Sequence, residues 1–314
     1  MINRVTKAPR RSDPGQVWGG NANLGWQDEG VCPHPATCIE QVPAPEFSSI
    51  TLSRTRIITL SGKAPSTVHP VVVIPTRLGS TRLPGKALTE IAGDPMIVHV
   101  WRRGIEAGIG PVYVACGDAP IADAIRAVGG QAVLTDPALP TGSDRVQAAL
   151  AIIDPERRHD VIVVLQGDLP TIEPSILHAT LAPLADPAVD IATLATVITD
   201  PLELQAPQVV KIALAISPGA QMGRAIYFSR AVIPGGAGPH YHHVGLYTYR
   251  RAALERFVRL PQGVLEQREN LEQLRALENG MRIDVAVIES EPLGVDTLID
   301  LERARVILGN PNAA

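Results

Sequence analysis

The chain has 314 residues, of which 45% are hydrophobic and 19% charged, with a formal net charge of −4. That length can bury one or two domain cores unaided, and the composition is far from that of a disordered protein. The acidic balance excludes the broad basic footprint of a dedicated nucleic-acid binder, and no run of about 18 apolar residues offers a membrane span. Met1-Ile2-Asn3-Arg4 and Pro9-Arg10-Arg11 lead into no apolar stretch of the secretory kind, so a cytoplasmic, reducing location is expected. The three cysteines, Cys32, Cys38 and Cys116, make no disulfide framework. Cys32 and Cys38 flank Pro33-His34-Pro35, but the second matching pair of a zinc site is missing.

Residues 1–66 carry scattered turn residues without a sustained period, and are expected to be a poorly ordered extension that adds nothing to catalysis. Ile50 to Leu60 is its one plausible strand. No methionine lies between Met1 and Met96, so an upstream start assignment would equally explain the segment. The punctuation changes with the domain expected over 67–314. Val71-Val72-Val73-Ile74 is a β-branched run stopped by Pro75, the pattern of a strand buried on both faces. An amphipathic stretch from Asp94 to Ala107 reads as a helix, Pro111 to Cys116 as a strand, and Ile121 to Val128 as a helix. Ala132 to Leu134 reads as a strand, Ser143 to Ile153 as a helix, and Val161 to Leu165 as a fourth apolar strand. Alternation of this kind predicts a three-layer α/β sandwich with a mostly parallel central sheet. Further strands are expected at Val189 to Val197, Val209 to Ala215, His243 to Tyr249 and Ile283 to Ile288. Helices are expected at Val264 to Glu278 and Leu298 to Leu308, and the loop from Ile233 to His240 is the expected flexible segment.

The first strand runs into Thr76-Arg77-Leu78-Gly79-Ser80-Thr81-Arg82-Leu83-Pro84-Gly85-Lys86. Gly79 and Gly85 allow backbone N–H groups to approach a phosphate, and Arg77, Arg82 and Lys86 bring three positive charges. The motif is neither a dinucleotide fingerprint nor a P-loop. In an open α/β sheet it lies at the carboxyl end of its strand, where ligands bind. Asp168, in Gln166-Gly167-Asp168, ends the fourth strand at the same edge and is suited to hold Mg²⁺ against phosphate oxygens. Asp296, in Gly294-Val295-Asp296-Thr297, is either a second such ligand or the N-cap of the last helix.

These motifs together resemble the 3-deoxy-manno-octulosonate (Kdo) cytidylyltransferases. The resemblance runs from about Val71 to Leu308. It rests on Ser80 to Lys86, Pro95-Met96-Ile97-Val98-His99-Val100, Gln166-Gly167-Asp168, Tyr227-Phe228-Ser229-Arg230, Leu271-Glu272-Gln273-Leu274-Arg275 and Gly294 to Thr297. It implies a nucleotidyltransferase-type, Rossmann-like sandwich that joins CTP to Kdo, gives CMP-Kdo for lipopolysaccharide synthesis, and works as a homodimer. By the same resemblance Arg77, Arg82 and Lys86 grip the triphosphate, and Lys86 neutralises the departing pyrophosphate. Asp168 and Asp296 are the Mg²⁺ ligands and, with Lys86 and Arg82, the catalytic set. Ser143 and Arg145 belong to the base-pocket segment Thr141 to Arg145, which reads equally as a helix N-cap. Gln166, Arg230, His243, Tyr247 and Glu269 match sugar contacts.

Read without the family, Leu271, Leu274 and Leu277 need only be core, and Glu266, Glu269 and Glu272 only a solvated helix edge. The metal reading of His240, His242 and His243 is weakened by the surrounding glycines and prolines, and neighbours 242 and 243 point apart on a strand. The chain departs from the family pattern at Leu169, usually Glu, and at Leu298-Ile299, usually Pro-Glu. An acid at 169 is expected to support the metal from behind, so Leu169→Glu should tighten Mg²⁺ binding modestly.

Overall fold

Four consecutive β-branched residues can be satisfied only by a strand with apolar layers on both sides, and the first strand has them. The structure, a computed structural model of the full chain, describes residues 68–79 and 83–309. The expectations about residues 1–66, the Ile50 to Leu60 strand, Cys32, Cys38 and Arg82 fall outside the described residues. The first half of the described chain contains β1 (Pro70–Thr76), the small hairpin β2 (Glu90–Ile91) and β3 (Asp94–Pro95), α1 (Met96–Glu106) and β4 (Val112–Cys116). It continues through α2 (Ala119–Ala127), β5 (Gln131–Leu134), α3 (Gly142–Ile153), β6 (Val161–Val164) and α4 (Pro174–Ala179). The second half contains β7 (Ile191–Val197), α5 (Pro201–Gln205), β8 (Lys211–Ala215), β9 (Met222–Ser229), β10 (Tyr241–Arg250) and α6 (Arg251–Phe257). Last come α7 (Val264–Glu269), α8 (Leu274–Glu278), β11 (Ile283–Val287) and α9 (Leu298–Gly309).

The main sheet has the order β5-β4-β1-β6-β10-β7-β11-β9-β8. Side chains alternate across it into two cores. Val71 and Val73 of β1 enter one with Ile162 and Val164 of β6, packing on α3, α6 and α8 through Leu150, Leu254 and Leu274. Val72 and Ile74 enter the other with Val163 and Leu165, packing on α1, α2 and α4 through Ile97, Ile121 and Leu177. Each such side chain, fully buried, contributes roughly 1.5–3 kcal/mol. The three-layer sandwich is therefore as expected, and Cys116 lies inside it, fully buried.

The sheet is mixed, which corrects the expectation of a mostly parallel one. Pairings β1–β4, β1–β6, β4–β5 and β7–β11 are parallel. β10 enters antiparallel between β6 and β7, and β8 pairs antiparallel with both β9 and β10. The reason lies in the connections: no helix separates β8, β9 and β10, and a parallel pairing needs a long crossover. β9 escaped the sequence reading because its start, Met222-Gly223-Arg224, is exposed or half-buried around a glycine and only Ala225, Phe228 and Ser229 are buried.

The single helix expected from Val264 to Glu278 is two, α7 and α8, because Asn270 adopts a left-handed conformation with φ 54° and ends the first. The three glutamates are no solvated edge either. Glu266 is buried and takes a bidentate ion pair from Arg275, Nε at 2.8 Å and Nη2 at 2.6 Å, while its Oε2 also accepts from the Gly263 N–H at 3.0 Å. Burial alone would raise the Glu266 carboxyl, but Arg275 and the Gly263 N–H outweigh it and hold the group below its usual range. The Arg275 guanidinium lies over the Phe257 ring of α6, so one ion pair ties α6, α7 and α8 together.

Removing one partner of such a buried pair leaves an uncompensated charge, and Glu266→Ala should cost about 3–5 kcal/mol of stability by urea unfolding. Because the folded-state value of Glu266 is depressed, its contribution is present at neutral pH and is lost as pH falls through that lowered value. The difference between wild type and Glu266→Ala should therefore shrink in acid; a pH-independent difference would assign the effect to packing alone.

Candidate active site

β1 and β6 run side by side in the same direction, Val73 opposite Val164, so the loops that follow them leave the sheet together. Gly167 permits their contact, since a Cβ there would press at 3.1 Å on the Pro75 carbonyl oxygen and on the Thr76 side chain. Gly85, at φ 72°, turns the first loop back so that its N–H reaches the Leu78 carbonyl at 3.1 Å and Lys86 faces the cleft. The Leu78 N–H is held by Asp118 at 2.8 Å. A cavity of about 400 Å³ opens above these loops, with Arg77, Lys86, Thr141, Arg145, Gln166, Asp168 and Asp296 on its walls.

Lys86 sits between the two predicted metal ligands. Its Nζ donates to Asp168 Oδ2 at 2.8 Å, to Asp296 Oδ1 at 3.1 Å and to the Val295 carbonyl at 3.1 Å. Burial disfavours the ammonium, yet the two carboxylates more than offset it and hold Lys86 above its ordinary value. The N-cap alternative for Asp296 fails on geometry. Thr297 Oγ1 accepts from the Asp300 N–H at 3.3 Å while Asp300 Oδ2 accepts from the Thr297 N–H at 2.9 Å, so those two residues cap α9. Asp296 faces Lys86. Its loop is tied to β6 by the Val295 N–H on the Asp168 carbonyl at 2.9 Å.

Thr141 caps a helix and stands on the cavity wall. Its Oγ1 accepts from the Asp144 N–H at 3.1 Å, capping α3, and it also lines the cavity. Arg145, almost fully buried, donates through Nη1 to Thr135 Oγ1 at 2.6 Å and to the Asp136 carbonyl at 3.3 Å. Its Nη2 is buried and makes no hydrogen bond. Burial and, after it, repulsion from Arg77 both lower the Arg145 value. A guanidinium in that condition is a ready receptor for an anion. Ser143 is buried beneath the cap and partners Tyr249 and Glu272 instead of lining the cavity.

Of the expected sugar contacts, Gln166 alone lies on the cavity wall. Arg230 and Glu269 form a cluster at the end of β9. Glu269 accepts from Ser229 Oγ at 2.9 Å, Tyr227 Oη at 3.3 Å and the Arg230 N–H at 3.1 Å, and Arg230 Nε donates to the Glu269 carbonyl at 3.1 Å. His243 and Tyr247 belong to a row of rings on β10 that starts at Phe228 and ends at Phe257. Burial pushes the His243 imidazole down to about 3, with His242 adding to the effect, so it is neutral at physiological pH. Its Nε2 lies 3.0 Å from Thr193 Oγ1.

Two features were not read from the sequence. Leu139-Pro140 forms cavity wall ahead of α3. Glu272, placed beside Thr141 and Ser143, is raised by burial against the hydrogen bonds of those hydroxyls. Its presence in the Leu271 to Arg275 motif was the available signal. Leu169 also differs from expectation: it is buried in the apolar core, and a Cβ on Gly294 would touch its Cδ2 at 3.8 Å. A carboxylate there would be buried among apolar side chains, so Leu169→Glu should destabilise the protein, measured as a lower urea midpoint. Leu298 and Ile299 are 65% and 66% exposed and take no part in the cavity.

Comparison with known proteins agrees with this geometry. The family model for "Cytidylyltransferase" matches residues 71–283. The 3-deoxy-manno-octulosonate cytidylyltransferase of Paramagnetospirillum magneticum is 62% identical over 239 residues, covering 76% of this chain and 97% of that protein. Its counterpart in Rhodospirillum rubrum is 59% identical over 241 residues, covering 76% and 96%. The solved structure of CMP:2-keto-3-deoxy-manno-octonic acid synthetase complexed with CTP superposes with a TM-score of 0.71 at 37% identity, covering 77% of this chain and 98% of that one. On the motifs, the fold and these relatives, the chain belongs to the 3-deoxy-manno-octulosonate cytidylyltransferase family.

Proposed function

We propose that this chain is an enzyme that transfers the cytidylyl group of CTP to Kdo, giving CMP-Kdo, a precursor for lipopolysaccharide, and pyrophosphate. One observation carries the reading. Lys86 joins Asp168 and Asp296 at the mouth of a cavity whose walls also hold Arg77 and the half-satisfied guanidinium of Arg145. That is a receptor for a polyphosphate together with a cation.

In the proposed reaction the anomeric hydroxyl of Kdo attacks the α-phosphorus of CTP in line. The new O–P bond forms as the bond from the α-phosphorus to the bridging oxygen breaks, pyrophosphate leaves, and the hydroxyl proton passes to water. No covalent enzyme intermediate is required, so catalysis consists of positioning and electrostatic stabilisation. Arg77 and Arg145 meet the phosphates, and Arg82 belongs to the same loop. Lys86 keeps its charge at working pH and offsets what develops on pyrophosphate. The Leu139 to Gly142 wall receives the base. On the sugar side we assign Gln166 together with His243 and Tyr247 of β10, whose register sets Tyr247 opposite Val164, two residues before Gln166. Neutral His243 offers a hydrogen bond, not a charge.

Mg²⁺ fits the donor set: Asp168 and Asp296 converge on one positive charge while their side chains remain 31% and 43% exposed, room for phosphate oxygens and water. Those two residues would hold the ion. When bound it supplies Lewis-acid stabilisation and a lower pKa for the attacking hydroxyl.

The deciding measurement is pyrophosphate release from CTP, Mg²⁺ and Kdo, with other acidic sugars as competitors. Asp168→Asn should lower turnover on the order of a hundredfold. Lys86→Ala should lower kcat more than it raises the KM for CTP, because its charge is matched to the transition state. The double variant should lose less than the product of the two single losses, since both act through one contact. Multiplicative losses would separate Lys86 from Asp168 functionally. A preference for another acidic sugar over Kdo would overturn the substrate.

A further inference from the structure

On β10 the residue next to His243 faces the opposite way and meets different company. His242 Nδ1 lies 2.9 Å from Glu203 Oε1 of α5 and 3.1 Å from Glu291 Oε2, which follows β11. All three ligand atoms lie within 4.8 Å of one another. The nitrogen is buried, and neither oxygen takes a well-formed hydrogen bond from it. One imidazole nitrogen and two carboxylate oxygens gathered this closely can be spanned by a small ion with bonds of roughly 2.0–2.2 Å after a slight opening of the cluster.

The topology explains how three distant residues meet. β7 and β11 are parallel, and β10 runs antiparallel to β7, so the ends of β7 and β11 and the start of β10 share one edge of the sheet. β6 is also antiparallel to β10, which makes this the edge that carries the phosphate loops. His242 is pinned by its backbone, in register with Thr196 of β7 and Lys211 of β8. Glu203 sits on a helix capped by Asp200, whose Oδ1 accepts from the Leu202 N–H at 2.8 Å. Glu291 belongs to the irregular run between β11 and α9, the run that also delivers Val295 and Asp296 to Lys86.

We propose that Glu203, His242 and Glu291 form a site for one divalent transition-metal ion of the zinc class, and that this ion clamps the 289–297 run onto the sheet edge. The mixed nitrogen and oxygen donors favour such an ion over Mg²⁺, which prefers oxygen alone. Glu291 is 48% exposed, which leaves an open face for water as a further ligand. The site is distinct from the Asp168–Asp296 pair and does not depend on the reaction proposed above.

The test uses the full chain without substrate, stripped with chelator and then titrated with ZnCl₂, with MgCl₂ as the comparison. Because Cys32, His34 and Cys38 could also take zinc, the quantity read is the difference between wild type and His242→Gln. One equivalent of zinc should remain on wild type after gel filtration and be missing from His242→Gln and from Glu291→Gln. Zinc should raise the melting temperature of wild type by several degrees and leave both variants where they were, while MgCl₂ shifts none of them. Glu291→Gln, at a half-exposed position, keeps the test valid if His242→Gln folds poorly. Equal zinc content in wild type and the variants would overturn the site and leave the cluster as a proton-bearing ion pair.

Discussion

An ammonium held between two carboxylates joins parts of the chain 82 and 210 residues apart. Three charges cannot be brought together in a half-buried cleft unless the backbone beneath them is fixed. The parallel register of β1 on β6 supplies two of the three supports, and the Val295 N–H on the Asp168 carbonyl supplies the third. The apolar cores on the two faces of the sheet hold that register, because a slip of one residue would exchange every side chain between them. Chemistry and packing are thus linked through a few strand residues that never touch a substrate.

The first half of the fold was legible because its signals are local. β-branched runs, amphipathic stretches and turn glycines each specify their own element, and their alternation leaves few topologies open. The second half was less so. Whether a strand lies parallel or antiparallel depends on what connects it, and β9 mixes exposed and buried residues in a way that has no strong period. The break at Asn270 was hidden because Glu266, Glu269 and Glu272 keep a helical spacing across it. Only their partners, Arg275, the end of β9 and the α3 cap, distinguish the three acids.

The site divides along the same line. Arg77, Lys86, Gln166, Asp168 and Asp296 were readable because each follows a strand or precedes a helix at the ligand-binding edge. Ser143 and Arg145 stand on either side of Asp144 in one motif, but a helix turns about 100° per residue, so two positions place them on nearly opposite sides, one at the cavity and the other under it. The expected sugar residues other than Gln166 fall into two groups, Arg230 with Glu269 and His243 with Tyr247, and the first depends on long-range contacts that no short motif encodes. Leu169 shows the reverse: a departure that looked chemical in sequence is mechanical in space, since the side chain fills the core beneath Gly294.

The Nη2 of Arg145 has a consequence for how the protein behaves before it meets a nucleotide. A buried donor without an acceptor is a standing penalty on the order of 1–3 kcal/mol, larger when the group is charged. In the function proposed above, a phosphate oxygen accepts from this Nη2, so ligand and protein complete one hydrogen-bond set between them. The same guanidinium holds Thr135 and Asp136, which follow β5, so the proposed anion contact and the β5–α3 connection share one side chain.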